Sequence, residues 1–256
     1  MRQIAIANQK GGSAKTTTSV NLSAALAELG RRVLVIDLDP QGNSTDWLGA
    51  GGAERGAFEL LTSSADLGTV VTESAISGVL VVAATRALQG IERVLVREIG
   101  AELALRRKLA AGTAENWDYV LVDTPPTLGI LTLNALSAVR ELIVPVEAHV
   151  LALSGVVQLQ ATVDMVRNRL NPDLSLAGVI ACRVDGRTRH SADVVDSLRQ
   201  KFDGKMYRTE IRENIRLAEA PSFHCSILDY DPRSTGANDY RALALEVVHQ
   251  EAGRTG

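Results

Sequence analysis

Two lysines frame a glycine-rich stretch near the start of the chain, "NQKGGSAKTTT" at residues 8 to 18. Lys15 followed by Thr16 is the end of a phosphate-binding loop of the form G-x-x-x-x-G-K-[ST]. Both glycines of that form are missing, replaced by Gln9 and Ala14. The chemistry nevertheless survives on paper. Successive backbone N–H groups and a following helix N-terminus surround phosphate oxygens, and Gly11 and Gly12 let the backbone approach closely. Lys15 would bring charge to the β- and γ-phosphates and Thr16 a hydroxyl to Mg²⁺. Ala14 keeps its N–H, so the contact with phosphate survives if φ is negative there. A positive φ at that alanine would cost about 1–2 kcal/mol. Ser13 adds a hydroxyl facing the site.

A second polar signal lies in the run "YVLVDTPP", where Asp123 ends an apolar stretch and fits a metal-holding role through water. A third polar signal is "DLDPQGN", with Asp37 and Asp39 after another apolar run. In open α/β sheets ligands bind at the carboxyl ends of strands. Three polar strand ends in this order are what a nucleoside triphosphatase needs. Each alone reads equally well as a turn or a helix cap.

The elements that must hold these residues are legible. Strands are expected at 3–7, in "RVLVIDLDPQGN" (32–43) where the strand ends in acidic residues and a turn, at 79–84, in "YVLVDTPP" (119–126), and at 141–146 and 176–184, alternating with helices at 15–30 and near 237–251. Gly30 reads as the stop of the first helix. Residues 50–115 read as helical insertions around one strand. The expected fold is α/β: a single-domain P-loop NTPase, with a mostly parallel twisted sheet and helices on both faces. No repeat or linker divides residues 1–256, so one domain is expected.

Composition is that of an ordinary globular protein, with 46% hydrophobic and 22% charged residues. The net charge of −3 does not advertise nucleic acid. Cys182 and Cys225 have no metal spacing and suggest a reducing, cytoplasmic setting. No apolar run reaches the ~18 residues of a membrane span.

Lys10 decides the type of loop. "KGGxxKT" resembles the deviant Walker A motif of the ParA/MinD superfamily. "VLVIDLDPQGNST", "YVLVDTPPTLGILTLNAL", "VPVEAHVLALSGVVQL", "VDGRT", "NIRLAEAPSF" and "YDPRSTGANDYRALALEVV" extend the likeness to small chromosomal ParA (Soj-like) proteins over nearly the whole chain. The resemblance implies a slow ATP hydrolase using ATP and Mg²⁺, forming a nucleotide-sandwich homodimer in which Lys10 reaches the partner's phosphates. It implies nucleotide contacts from Gly11, Gly12, Ser13, Ala14, Lys15, Thr16, Thr17 and Asn214. The metal would be held by Thr16, Asp37 and Asp123, and catalysis carried by Lys10, Lys15 and Asp39, with Asp39 positioning the attacking water. Arg212 and Glu213 stand in "IRENIRL" where many relatives have "IPRNVRL"; Arg212 replaces a proline that in the family commonly lies against the adenine, while Asn214 is retained.

Residues 183 to 216 carry nine Lys and Arg against six Asp and Glu. By composition alone that is a solvated face; the resemblance assigns Arg187 and Arg216 to non-specific double-stranded DNA binding and a nucleoid location. It implies stimulation by a ParB-type partner and partition of chromosome or plasmid. A positioner of another cargo shares every motif. A MinD-like membrane cycler would need a basic amphipathic tail in place of the polar "VVHQEAGRTG", and an iron protein of the superfamily would need cluster cysteines. An ATP-binding scaffold without hydrolysis is disfavoured by Lys10, Lys15, Asp39 and Asp123 together. No N-terminal helix-turn-helix extension and no membrane partner are expected.

Overall fold

The computed structural model describes residues 1–111, 117–149 and 152–252, with the side chains of 152–158 and 252 undescribed. The strands are β1 (Arg2–Ile6), β2 (Val33–Asp37), β3 (Val71–Glu73), β4 (Val79–Val82), β5 (Tyr119–Asp123), β6 (Glu141–Glu147), β7 (Ser175–Val184) and β8 (Ile211–Arg212). The helices are α1 (Lys15–Glu28), α2 (Asn43–Trp47), α3 (Ala57–Thr62), α4 (Ile91–Leu95), α5 (Ala104–Ala110), α6 (Ile130–Ala138), α7 (Ala152–Arg169), α8 (Arg189–Lys201), α9 (Ile215–Glu219), α10 (Ile227–Tyr230) and α11 (Thr235–Ala252).

One eight-stranded sheet runs in the order β3-β4-β2-β5-β1-β6-β7-β8, parallel except for the β3–β4 pair. Alternate residues of each strand feed opposite faces. Ile4, Ile6, Val33 and Val35 pack with α1, α10 and α11, while Ala5, Ala7, Leu34 and Ile36 pack with α3 to α8. Both faces are therefore covered, as near-continuous apolar strands require. This is the expected single-domain α/β architecture.

Helix α1 ends where Gly30 was expected to stop it. Gly30 has φ 77, and the N–H groups of Gly30 and Arg31 bond the carbonyls of Ala27 and Leu26. That is a Schellman closure, in which glycine takes the left-handed position at least cost. Residues 50–111 differ from expectation in holding two strands, β3 and β4, and β8 was not anticipated. No described helix is long and apolar enough to cross a membrane.

The order of strands sets up the site. β1 lies between β5 and β6, and Ile6, Asp123 and Asp37 stand in one row as paired residues of β1, β5 and β2. The loops leaving these three strands therefore meet at the carboxyl edge of the sheet.

Candidate nucleotide site

The loop joining β1 to α1 is anchored from its first residues. Asn8 Nδ2 donates to the carbonyl of Pro145 in β6 at 2.7 Å, and Asn8 Oδ1 accepts from the Lys10 N–H at 3.1 Å. Gly12 then turns with φ 75 and Ala14 with φ 66, ψ 25, immediately before the first residue of α1. The alanine therefore occupies the left-handed region. Ser13 and Lys15 are buried, and Ser13 Oγ has no hydrogen-bond partner among the described residues.

Lys15 Nζ points back over the loop, 3.4 Å from the Lys10 carbonyl. Burial lowers its pKa, and the nearby charges of Asp123 and Asp39 oppose that shift. Thr16 Oγ1 donates to Asp123 Oδ2 at 2.9 Å, and Ser44 Oγ donates to the same oxygen at 2.5 Å. The other oxygen, Asp123 Oδ1, is buried without a partner among the described residues. A buried carboxylate oxygen left bare is costly unless a ligand or water meets it. Flanked by two hydroxyls, it suits a hard cation that prefers oxygen ligands and keeps several waters. The residues present thus fit magnesium, which Thr16 and Asp123 would hold.

Asp37 ends β2 beside Asp123, and both of its oxygens accept hydrogen bonds. Its Oδ1 accepts from the Asp39 N–H at 3.0 Å, and its Oδ2 accepts from Thr45 N at 2.9 Å and Thr45 Oγ1 at 2.7 Å. Thr45 Oγ1 in turn accepts from Ala84 N. Asp37 thus pins the loop after β2. Burial and the neighbouring Asp123 push its carboxyl up to about 8. Burial raises Asp123 as well, against Ser44, Thr16 and Lys15. Asp39 lies beyond the end of β2, buried, with its Oδ1 accepting the Gln41 N–H. Its negative charge acts on Lys15, within electrostatic reach of the loop.

Lys10 is paired within its own chain, its Nζ 3.2 Å from Glu147 Oε2. Burial opposes ionisation of Glu147, but Lys10 and Arg183 outweigh it and hold the carboxyl below the usual range. Beyond the loop, a cleft of about 880 Å³ runs from Ala14 and Thr17 past Arg183 to Arg212 and Asn214. Asn214 caps α9, accepting from the Arg216 N–H at 2.8 Å while its Nδ2 donates to Thr235 Oγ1. Arg212 is held by Asp239 through its backbone N–H, Nε and a terminal nitrogen, the last at 2.6 Å. Arg187 pairs with Asp185 at 2.9 Å and Arg216 with Glu219 at 2.9 Å, both on the surface.

The loop lysines, Thr16, Asp39 and Asp123 are thus gathered at one strand edge, with Gly11 and Thr17 in the same segment. Sequence reading missed Asn8, Ser44, Thr45 and Glu147. Ser44 and Thr45 lie inside the quoted "DPQGNST", and their spacing after Asp37 was the available signal.

A family profile described as an AAA domain matches residues 1–176. The chain is 45% identical over 247 residues to the sporulation initiation inhibitor protein Soj of Bacillus subtilis, covering 96% of this chain and 97% of that one. It is 48% identical over 248 residues to the chromosome-partitioning ATPase Soj of Thermus thermophilus, covering 97% and 96%. The chain belongs to the ParA/Soj family of ATPases. Among solved structures, that of cobyrinic acid a,c-diamide synthase from Mycobacterium smegmatis, with bound ATP analogue and magnesium, superposes with TM-score 0.87 at 36% identity, covering 99% of this chain and 97% of that one. A ParA/Soj chain with a bare Asp123 oxygen beside Thr16 is thus similar to a structure that holds both a nucleotide analogue and magnesium.

Proposed function

We propose that this protein is a ParA-type partition ATPase whose nucleotide state controls dimerisation and DNA binding. The observation that carries the reading is the Thr16–Asp123–Ser44 junction with its bare Asp123 oxygen, set behind Lys15 at the loop. ATP enters the cleft with its phosphates along residues 11–17, and Lys15 supplies positive charge to them. Thr16 and Asp123 would hold magnesium beside the loop, and the ion would supply further positive charge to the phosphates. Asp39 orients the attacking water, and Lys10 leaves its own chain to reach the phosphates of a second subunit. Dimerisation doubles the arginines offered to a DNA backbone, coupling nucleotide to DNA through multivalency. A ParB-type protein stimulates hydrolysis, and the dimer occupies the nucleoid. Residues 1–256 act as one ATPase domain.

The test is steady-state ATP turnover with double-stranded DNA and a ParB-type N-terminal peptide, added separately and together. Synergistic stimulation is expected. Turnover indifferent to both would leave the ATPase but remove partition, favouring another cargo. A second reading follows from the 36% identity to a cobyrinic acid a,c-diamide synthase. ATP consumption that depended on cobyrinic acid with glutamine or ammonia would favour that amidation instead.

A further inference from the structure

At the mouth of the cleft, three charged side chains from three segments form one cluster. Glu147 ends β6 and faces two cations, one on each oxygen. Lys10 Nζ is 3.2 Å from Oε2, and a terminal nitrogen of Arg183 is 3.3 Å from Oε1. Lys10 belongs to the phosphate loop, Arg183 to β7. The loop's entrance lysine is therefore tethered to the neighbouring strand rather than free in solvent.

Arg183 reaches this place through an unusual backbone. It is one of three non-glycine residues with positive φ among the described residues, at 52°, a region that side chains with a Cβ avoid. The pairing of β7 with β8 slips between Cys182 and Val184, so Arg183 is the bulged residue. A bulge re-aims a side chain near a functional site. Here it turns the guanidinium towards the carboxylate that Lys10 also uses.

We propose that Glu147 is a positioning residue for Lys10. In the free subunit it holds the ammonium on its own chain, and Arg183 keeps Glu147 paired when Lys10 swings to a partner's phosphates. The idea rests on the reading of Lys10 as the residue that acts across the dimer. A carboxylate with one cation per oxygen can lose one and gather the other onto both, because a guanidinium forks. Release of Lys10 then never leaves a bare carboxylate. Without Arg183, the same step would strand Glu147 at the rim of the cleft.

The bland alternative is an ordinary surface ion pair with no bearing on assembly. The pair is partly shielded, with side-chain exposures of 35% for Lys10 and 22% for Glu147. Exposed pairs contribute factors of roughly 1.5 to 5. Forming a symmetric dimer releases two of them, so the combined effect is on the order of 2- to 30-fold.

The experiment is sedimentation of the full chain with a non-hydrolysable ATP analogue and Mg²⁺, across protein concentrations. Glu147→Gln keeps the shape and removes the charge. It should tighten the nucleotide-dependent dimer about 2- to 30-fold, leave the ligand-free chain monomeric, and lose most of its advantage over wild type at high salt. Arg183→Ala should weaken the dimer in the wild-type background and have no effect beside Glu147→Gln, a coupling that a merely structural arginine would not show. A Glu147→Gln dimer no tighter than wild type, in a protein with unchanged melting temperature, overturns the proposal. Lys10→Ala separates the two readings. If it dimerises as wild type does, the trans role falls and the tether with it. If it stays monomeric while Glu147→Gln matches wild type, only the tether falls.

Discussion

Ala14 holds the last turn of the phosphate loop at φ 66, where glycine would sit without strain. Alanine in the left-handed region costs about 1–2 kcal/mol, while its methyl returns part of that by packing against the core beneath α1. Ala14→Gly should therefore raise stability by up to about 1 kcal/mol, since added unfolded-state freedom removes some of the gain. In a chain of this size that is roughly 2–4 °C in melting temperature. Ala14→Val, β-branched in a region it cannot tolerate, should lower it; a destabilised glycine variant would refute the strain. The buried carboxyls give a second residue-scale expectation. Asp37 is pushed up to about 8 by burial and by Asp123, so the folded chain holds this proton more tightly than the unfolded one. The sign follows: the cost is absent below the ordinary carboxylate range near pH 4 and grows until pH passes about 8. Ligand-free protein should lose stability between about pH 5 and 8, and saturating magnesium and nucleotide should flatten the slope by supplying counter-charge. Binding near pH 7 should release protons from the Asp37–Asp123 pair, because both carboxyls are raised by burial. Calorimetry in two buffers of different ionisation enthalpy measures this, and proton uptake would contradict it.

At the scale of elements, the tie between β8 and α11 accounts for the departure of "IRENIRL" from the family pattern. A proline at 212 would lack the N–H that Asp239 accepts at 3.0 Å and the guanidinium that grips the same carboxylate. Asp239 is buried while Arg212 is half exposed, so the bond is worth more than a surface pair and less than a buried one. Arg212→Ala should cost about 1–2 kcal/mol in urea unfolding. Arg212→Lys, keeping charge but not the fork, should cost less. Equal stability of all three would leave β8 held by other contacts. The same edge shows why some elements were illegible. The central strands are five or more residues long and mostly apolar, and announce themselves by composition. β3 has three residues and β8 two, too short to show any period. Helices α3, α4 and α5 have five to seven residues, at most two turns, so residues 50–111 carry little periodic signal. In the site, Lys10, Lys15, Thr16 and Asp123 were readable because spacing within one loop or strand defines them. Asn8 and Ser44 were not, because their partners Pro145 and Asp123 lie 137 and 79 residues away. Their roles exist only once β1, β2, β5 and β6 lie side by side.

Across the whole molecule, charge is distributed in a way that would make the proposed DNA binding conditional. The chain is net −3, and the arginines proposed to meet DNA are already paired, Arg187 with Asp185 and Arg216 with Glu219. Such exposed pairs exchange readily, because water screens them and each contributes little. A phosphate backbone competes by releasing counterions, a gain no single carboxylate offers. One subunit presents few such arginines; a dimer presents twice as many to one duplex. Affinity should therefore rise steeply with nucleotide-driven dimerisation and fall steeply with salt. Arg187→Glu with Arg216→Glu should weaken DNA retention and lower the salt slope by about 0.9 for each phosphate no longer neutralised. The opposite substitutions discriminate better. Asp185→Asn with Glu219→Gln leaves both arginines in place and removes their intramolecular competitors. That variant should bind DNA more tightly than wild type at low salt, with the difference shrinking as salt screens the wild-type pairs. Fluorescence anisotropy of a labelled duplex, with ATP analogue and across a salt series, measures both effects. If the neutralised-acid variant binds no better and the reversed arginines bind no worse, residues 183 to 216 are a solvated face. DNA contact would then have to come from elsewhere on the dimer.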